Sequence, residues 1–258
     1  MPRGYHRFGR VLVIQRPESL APFDALLGEA WRSELGVATV LVKSGPVEGE
    51  LRTPRVHALV GDRTETEVVE HGVRYRFDAA RILFAAGNRS ERYRVGRLVR
   101  PGEVVADLFA GIGYFAIPAA LPGRAAGVWA VEKNPESVRY LAENAVLNGV
   151  QDRIRIVPGD NRSVALPARS FDRVLLGYLP SAMPWIPHAV PLLRPSGGWL
   201  HLHTVADVRA PLAQSVGEVD AALEVAGAVR LEPSRGRIVK PYGPGRNHLV
   251  VDSRVVAR

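Results

Sequence analysis

Glycines and polar residues follow several apolar runs of this sequence, at positions where they could bind a ligand. The first run, residues 104–106, leads into Asp107 and then into the turn Gly111-Ile112-Gly113. A strand, a Gly-x-Gly turn and a helix form the first unit of a doubly wound sheet that binds a nucleotide-like cofactor. The glycines are needed because a side chain there would hold the cofactor away from the backbone. Asp107 can fix the turn or accept a hydrogen bond from an amino group of the cofactor.

Three later apolar runs also end in candidate binding residues. Glu132, the pair Asp160-Asn161 and Gly177 each come directly or shortly after one of these runs. Ligands of a doubly wound sheet bind outside the carboxyl ends of its parallel strands, where all these residues would lie. A carboxylate such as Glu132 can accept both hydroxyls of a ribose, and an acid–amide pair can bind an adenine amino group. The loop that opens with Gly177 is expected beside the reactive end of the cofactor.

The elements that must position these residues alternate between strand and helix. Asn134-Pro135-Glu136 is typical of a helix start, with an N-cap residue, a proline at the first helical position and an acid in the first turn. Apolar periodicity predicts further helices at 186–193 and within 210–226. The predicted strands cover residues 104–106, 127–132, 154–157, 171–176, 199–205, 237–240 and 248–252. This alternation predicts an α/β fold with a doubly wound sheet.

Short strand candidates separated by glycines and charged turns occupy the first part of the chain. They lie near 11–14 and at 38–42, 56–60, 65–69 and 73–77, with one helix at 20–35. This pattern predicts a small N-terminal α+β domain, residues 1–78, ahead of a cofactor-binding domain, residues 79–258. A helix is expected from Ser90 to Leu98, with Ser90 or Asn88 as its cap.

The composition excludes several classes of protein. The chain of 258 residues contains no cysteine, which rules out disulfides, thiolate nucleophiles and Cys-ligated metal sites, and no metal is expected. There is no apolar run long enough to span a bilayer and no basic-then-apolar leader. We therefore expect a cytoplasmic protein without a membrane partner.

The charge favours a polyanionic partner. The net charge is +8 and the pI about 10.3, and residues 1–100 carry 17 Lys and Arg against 12 Asp and Glu. Arg dominates over Lys, which could also reflect genomic base composition. Five arginines precede the first run of the sheet, namely Arg89, Arg92, Arg94, Arg97 and Arg100. We expect nucleic acid as the partner, bound by the N-terminal part and this arginine cluster.

The glycine turn differs from that of nicotinamide-dependent enzymes. The third glycine of the dinucleotide fingerprint is replaced by Ala116, and the turn contains no Arg or Lys to hold a phosphate. S-adenosylmethionine has no phosphate, and the pattern resembles the class I S-adenosylmethionine-dependent transferases, with their Rossmann-like sheet. This resemblance implies S-adenosylmethionine as the group donor, and it makes a dehydrogenase less favoured.

Longer segments resemble a family that modifies the purine beside the tRNA anticodon. The resemblance rests on Asp107-Leu108-Phe109-Ala110-Gly111-Ile112-Gly113-Tyr114-Phe115 with Glu132-Lys133-Asn134-Pro135, and it runs from about Thr39 to Asp252. The family implies a tRNA partner and holds two activities. One is guanine-N1 methylation. The other transfers the 3-amino-3-carboxypropyl group of S-adenosylmethionine to 4-demethylwyosine, in the biosynthesis of wybutosine.

The sequences of two loops distinguish the enzymes that have these two activities. The methyltransferases typically read Phe-Ser-Pro-Arg-Leu ahead of the Glu-Arg pair, and Asn-x-Pro after the fourth strand. This chain has Phe84-Ala85-Ala86-Gly87-Asn88 and Gly177-Tyr178-Leu179-Pro180-Ser181, which resemble the aminocarboxypropyl branch, as does His201-Leu202-His203. The family serine that contacts the cofactor is replaced by Ala85. The cofactor-binding residues that the motifs and the resemblance imply are Ala85, Arg92, Asp107, Phe109, Gly111, Gly113, Glu132, Lys133, Asp160, Asn161 and Gly177.

The expected activity is therefore aminocarboxypropyl transfer. Three carbons of S-adenosylmethionine are bonded to its sulfonium, and the enzyme selects one by orientation. Arg92 could pair with the cofactor carboxylate, or it could be a surface or RNA-phosphate arginine. No general base is convincing, because His203 is the only candidate and a histidine in a strand is more often structural. The alternatives are guanine-N1 methylation and a non-catalytic RNA-binding protein that keeps the cofactor fold.

Overall fold

The computed structural model describes residues 4–258 and divides the chain into two compact units. The first unit ends at Ala86 and the second begins at Gly87. The functional division after residue 78 stays a prediction. Among the described residues, no helix is both long and apolar enough to cross a membrane.

The first unit is a small α+β assembly. Its main sheet has the order β1-β2-β3-β4, in which β2 and β3 are parallel and the other neighbours antiparallel. The helix α1 buries Trp31 with Leu12, Ile14 and Val40. A separate hairpin pairs β5 with β6. The elements are β1 (Tyr5–Phe8), β2 (Val11–Ile14), α1 (Asp24–Leu35), β3 (Thr39–Lys43), β4 (Val56–Val60), β5 (Glu65–Glu70) and β6 (Val73–Asp78).

The second unit contains an eight-stranded sheet, of order β12-β14-β11-β10-β7-β8-β9 with β13 paired to β14. Its elements are α2 (Arg89–Leu98), β7 (Val104–Asp107), α3 (Ala116–Ala120), β8 (Gly127–Glu132), α4 (Pro135–Leu147), β9 (Ile154–Pro158), β10 (Arg173–Leu176), α5 (Ile186–Ala189), β11 (Gly198–Asp207), α6 (Leu212–Val225), β12 (Ala228–Arg230), β13 (Arg235–Gly243) and β14 (Arg246–Ala257). The five strands β11-β10-β7-β8-β9 are parallel.

The strand order reverses between β7 and β10, which are neighbours in register, with Leu175 opposite Asp107. From β7 the chain proceeds outward to β8 and β9, and from β10 it proceeds the other way to β11. Such a switch point leaves a crevice at the carboxyl ends of the strands, where doubly wound folds bind their ligands. The α/β prediction and the class I transferase fold are confirmed, and the predicted cofactor-binding residues of this unit lie at or shortly after the ends of β7, β8, β9 and β10, except Arg92, which lies on α2.

Two parts of the second unit differ from the predicted elements. The helix expected at 186–193 is the single turn α5 flanked by 3₁₀ segments, because Pro187 and Pro191 cannot donate the backbone hydrogen bonds of a continuous helix. The closing strands β13 and β14 are much longer than predicted, and the short strand β12 was missed. Among the strands of residues 4–258, β13 pairs with β14 alone, so it is an edge strand.

Candidate functional site

Asp107 ends β7 and is fully buried. Its Oδ1 accepts a hydrogen bond from the backbone N–H of Phe109 at 3.2 Å, whereas its Oδ2 is buried without a partner. Burial raises the pKa of this carboxyl to about 7. Of the two roles predicted for Asp107, fixing the turn is thus present in the structure, and one oxygen remains able to accept a further hydrogen bond.

The turn after β7 requires both of its glycines. Gly111 and Gly113 have φ angles of +55° and +97°, a region that side chains disfavour. A Cβ on Gly111 would lie 2.6 Å from the Tyr114 ring, and one on Gly113 would lie 2.5 Å from Ile117. Packing inside the protein therefore demands glycine at both positions, in addition to the close cofactor approach that the sequence predicted.

Glu132 ends β8 and ties the turn to the next helix. Its Oε2 accepts from the N–H of Gly111 at 2.8 Å and its Oε1 from the N–H of Asn134 at 2.7 Å. Burial raises the pKa of this carboxyl despite these bonds. Each carboxylate oxygen has a second lone pair. The two backbone bonds therefore orient Glu132 while leaving it able to accept ribose hydroxyls.

The two residues of the acid–amide pair after β9 differ in their surroundings. The carboxylate of Asp160 pairs with Arg162, whose Nε lies 2.9 Å from Oδ1, and with Lys133 at 3.5 Å. These cations hold the pKa of Asp160 far below its usual range. Asn161 donates from Nδ2 to the carbonyl of Leu108 at 2.6 Å, and its Oδ1 is buried without a partner. Asn161 thus offers the acceptor for an amino group, whereas Asp160 is already bound within the protein.

An aromatic cluster forms where β7 and β10 end. The Tyr178 ring stacks on Phe109 with centroids 5.1 Å apart, and the Trp185 ring lies 5.0 Å from that of Tyr178. The indole N–H of Trp185 is buried without a partner. A Cβ on Gly177 would lie 2.8 Å from the Phe115 ring, so this loop too needs its glycine. Sequence reasoning missed Trp185, because nothing local links it to the strand ends.

The helix α2 carries Arg92, which is only 3% exposed. Its guanidinium carbon lies 5.6 Å from the centroid of the Tyr114 ring, which itself packs on Gly111. Arg92 therefore lies at the glycine turn, and the alternative prediction of a surface arginine is wrong. Asn88 precedes α2 without capping it through its side chain, and its Oδ1 is buried without a partner. Ala85 is half-buried near the end of the first unit.

His203, the candidate base, lies within β11 and is buried. Its Nδ1 is 2.7 Å from Nε2 of His248 on β14, and its ring lies 5.3 Å from that of Phe115. Burial lowers the pKa of both histidines to about 3. Both rings are therefore neutral at physiological pH, and His203 occupies a packed position in the interior.

Four buried polar atoms without partners belong to these loops. They are Oδ1 of Asn88, Oδ2 of Asp107, Oδ1 of Asn161 and Nε1 of Trp185. Unpaired buried polar groups are costly, so such atoms commonly await a ligand or water. Three of the four are acceptors, which fits a ligand with amino and hydroxyl donors. S-adenosylmethionine has such donors, and these residues therefore fit it. No group of histidines and carboxylates that could hold a metal occurs within residues 4–258.

Two family models match the chain. The model described as the TRM5/TYW2 methyltransferase domain matches residues 66–228, and the one described as the TYW2 N-terminal domain matches residues 1–64. Together they account for most of the sequence.

Individual proteins and structures give the same result. The chain is 35% identical over 257 residues to the tRNA(Phe) (4-demethylwyosine(37)-C(7)) aminocarboxypropyltransferase of Pyrococcus horikoshii, covering 99% of this chain and 90% of that protein. It is 42% identical over 209 residues to the human tRNA wybutosine-synthesizing protein 2 homolog, covering 79% of this chain but only 46% of the human protein. The crystal structure of P. horikoshii TYW2 in complex with MeSAdo superposes with a TM-score of 0.86 at 32% identity, covering 100% of this chain and 92% of that one.

Proposed function

The chain belongs to the TYW2 branch of the TRM5/TYW2 family, and on that premise we propose that it is an S-adenosylmethionine-dependent tRNA aminocarboxypropyltransferase. It transfers the 3-amino-3-carboxypropyl group to carbon 7 of 4-demethylwyosine at position 37 of tRNA(Phe), the reaction named for its P. horikoshii relative. Because tRNA is the acceptor, we place its activity in the cytoplasm. The identity with that relative extends over nearly the whole of both chains, which supports carrying over the whole activity.

The observation that favours this reaction over guanine-N1 methylation is the contact between Gly177 and Phe115. The loop of the methyltransferases opens with an asparagine, whereas here a Cβ on Gly177 would already lie 2.8 Å from the Phe115 ring. An asparagine side chain has no room unless that ring moves. The loop after β10 therefore lacks the side-chain amide with which the methyltransferase loop opens.

The orientation of bound S-adenosylmethionine decides which of its carbons reacts with the acceptor. S-adenosylmethionine supplies a sulfonium that activates each of its attached carbons toward a nucleophile. Glu132 holds the ribose through its two oriented oxygens, and Asn161 accepts from the adenine amino group. Arg92 pairs with the carboxylate of the amino-acid arm, and so fixes which carbon faces the acceptor. His203 is packed against His248 in the interior and does not accept the proton that carbon 7 loses, so that proton leaves to solvent and catalysis rests on positioning.

The tRNA is held by exposed cations on several elements. Of the arginine cluster before β7, only Arg89, Arg97 and Arg100 are exposed, because Arg92 and Arg94 are mostly buried. The edge strand β13 adds the exposed Arg235 and Arg237 and the half-buried Lys240, and no acidic residue occurs between residues 235 and 247. Such cations bind phosphates with little base preference. The first unit carries 12 Lys and Arg against 11 Asp and Glu, so the contact that it adds depends on where its cations lie and not on its net charge.

The test is incubation with S-adenosylmethionine and tRNA from cells that lack this protein, followed by mass analysis of nucleosides and the spent donor. We expect a nucleoside heavier by one aminocarboxypropyl group and release of methylthioadenosine. A nucleoside heavier by one methyl group, with S-adenosylhomocysteine released, would establish guanine-N1 methylation instead. Binding of tRNA without any product would establish the non-catalytic RNA-binding alternative.

A further inference from the structure

A chain of buried charged side chains connects α2 to the sheet of the second unit. Arg94 on α2 contacts Glu91 on the same helix with two nitrogens, at 2.8 and 2.6 Å. It also contacts Asp252 on β14, at 2.6 Å from Nη1 to Oδ2 and 3.2 Å from Nη2 to Oδ1. Glu91 is fully buried, and Arg94 and Asp252 are mostly buried. The start of α2 is therefore bound to a strand 158 residues later in the sequence.

The chain continues from Asp252 across the sheet. Nδ1 of His201 on β11 lies 2.5 Å from Oδ1 of Asp252, and Nη1 of Arg173 on β10 lies 2.5 Å from Nε2 of His201. Because a guanidinium can only donate, Nε2 accepts and Nδ1 carries the proton donated to Asp252. Burial lowers the pKa of His201, in agreement with this neutral tautomer. The two ring nitrogens of His201 therefore connect Arg173 to Asp252 through hydrogen bonds, so the position of each depends on the other.

The far end of the chain returns to α2. Arg173 contacts both oxygens of Glu103 at 3.1 Å, and its Nη2 donates to the carbonyl of Leu98, the last residue of α2, at 3.1 Å. A guanidinium at a helix C-terminus satisfies an orphan carbonyl and complements the helix dipole. The buried charge chain, defined as Glu103, Arg173, His201, Asp252, Arg94 and Glu91, therefore holds α2 near both of its ends.

The geometry of a helix explains why this matters for Arg92. Glu91 and Arg94 are three residues apart and lie on one helix face, which the chain binds to the sheet. Arg92, between them in sequence, points in another direction, toward Tyr114 at the glycine turn. Rotation or sliding of α2 would displace the Arg92 guanidinium directly.

We propose that the buried charge chain positions Arg92 for the carboxylate of the aminocarboxypropyl arm, which makes Asp252 and His201 positioning residues for the choice of the transferred group. This inference rests on the proposed function, in which Arg92 binds that carboxylate. Arg94 is engaged by Glu91 and Asp252, Asp252 is engaged by Arg94 and the neutral His201, and the side chains of Arg94 and Asp252 are mostly buried. Removing one charge therefore leaves the others unpaired and releases the helix.

The test compares S-adenosylmethionine, which carries the amino-acid arm on a sulfonium, with methylthioadenosine, a neutral thioether that lacks the arm. The dissociation constants of S-adenosylmethionine and methylthioadenosine are measured by calorimetry for the wild type and for Asp252→Asn, Arg92→Ala and the double variant. Methylthioadenosine lacks the carboxylate, so a general loss of folding weakens both ligands, whereas misplacement of Arg92 weakens only S-adenosylmethionine. We expect Asp252→Asn to weaken S-adenosylmethionine selectively by about tenfold, the equivalent of one hydrogen bond to a charged group. In the Arg92→Ala background the same substitution should add no further selectivity loss.

Matched variants distinguish a loss of Arg92 positioning from a loss of folding and from a wrong assignment of Arg92. Ser253→Ala removes a buried polar contact of the same strand, the 2.7 Å bond to Ser234, and should leave the ratio of the two affinities unchanged. Arg94→Lys keeps the charge but loses the two-pronged contact, and it replaces Asp252→Asn if that variant does not fold. If Arg92→Ala changes the ratio and Asp252→Asn or Arg94→Lys does not, the positioning role is refuted. If Arg92→Ala itself leaves the ratio unchanged, the assignment of Arg92 to the carboxylate is refuted as well.

Discussion

The aromatic ring of Phe115 occupies the space that a side chain at position 177 would need. A Cβ on Gly177 would approach Cε2 of Phe115 to 2.8 Å, closer than packed carbon atoms lie in proteins. Phe115 follows the glycine turn after β7, and Gly177 opens the loop after β10, so this contact joins the two strand ends at the switch point. The loop that we expect to distinguish the two family activities is thereby coupled to the glycine turn after β7.

Substitution of Gly177 tests this coupling. We expect Gly177→Ala to lower kcat/KM for tRNA modification by about tenfold or more, because overpacking costs roughly 1–3 kcal/mol and displaces the ring. Gly177→Asn should lower it further without producing methylated nucleoside. The companion variant Phe115→Leu, which removes the ring, should restore part of the activity of Gly177→Ala. Steady-state assays of all variants check this, and an unchanged rate in Gly177→Ala would contradict it.

The affinity for S-adenosylmethionine should depend on pH through Asp107. Burial raises the pKa of this carboxyl to about 7, so it is largely protonated below neutrality in the free protein. A cofactor amino group favours the ionised form, so binding should strengthen as pH rises through 7 and then level off. Titrations by calorimetry between pH 6 and 8 measure the slope, together with proton release on binding. In Asp107→Asn the affinity is expected to be weaker and the slope absent; the persistence of the slope would assign it to another group.

Acidification should destabilise the folded protein through its buried histidines. The pKa values of His203 and His248 fall to about 3 on folding, from 6.5 in the unfolded chain. The stability that they contribute is therefore complete above 6.5 and is lost as pH falls toward 3, by at most about 1.4 kcal/mol per pH unit for each proton. His201 acts in the same direction. Two carboxyls whose pKa values are raised on folding oppose this loss, because each binds a proton more readily in the folded protein: Asp107, between pH 3.8 and about 7, and Glu132.

Urea denaturation at pH 6.5, 5.5 and 4.5 measures this dependence. Stability should decrease over the series, since the three buried histidines outnumber the two opposing carboxyls. Replacing His248 with Gln removes one of these titrating groups and should make the decrease shallower, even where the variant is less stable at pH 6.5. Stability that stays constant or increases down to pH 4.5 would show that the histidines are accessible to protons in the folded state.

The exposed arginines of α2 should contribute to tRNA binding in a salt-dependent way. Arg89→Ala and Arg97→Ala are each expected to weaken tRNA binding and to reduce the slope of log affinity against log salt by about one, the effect of one lost phosphate contact. Arg139→Ala provides the control, because this exposed arginine pairs with Glu136 and Glu143 on α4. Filter binding at several salt concentrations checks the slopes. Equal effects of all three substitutions would indicate that net charge alone drives binding.

Much of the fold and part of the candidate site could be predicted from local sequence. The strand β8 has its predicted limits, and Asn134 caps α4 as expected, accepting from the N–H of Glu136 at 3.0 Å. These features depend on residues a few positions apart, whose periodicity and capping chemistry the sequence shows directly. The alternation of strands and helices then brings Asp107, Glu132 and Asn161 to one edge of the sheet, because parallel strands share that edge.

The sequence alone therefore determined the class of fold, the glycine turn and the residues that follow the parallel strands. Only the tertiary structure decided that Arg92 is buried at the turn while Arg89, one helical turn earlier at the start of α2, is exposed, since the spacing of the arginines does not show which of them other elements cover. It also decided that Asp252 binds Arg94, a partner 158 residues away. The physical reason is that the pairing of buried charges depends on which distant strands become neighbours, and the spacing of residues along the chain carries no information about that.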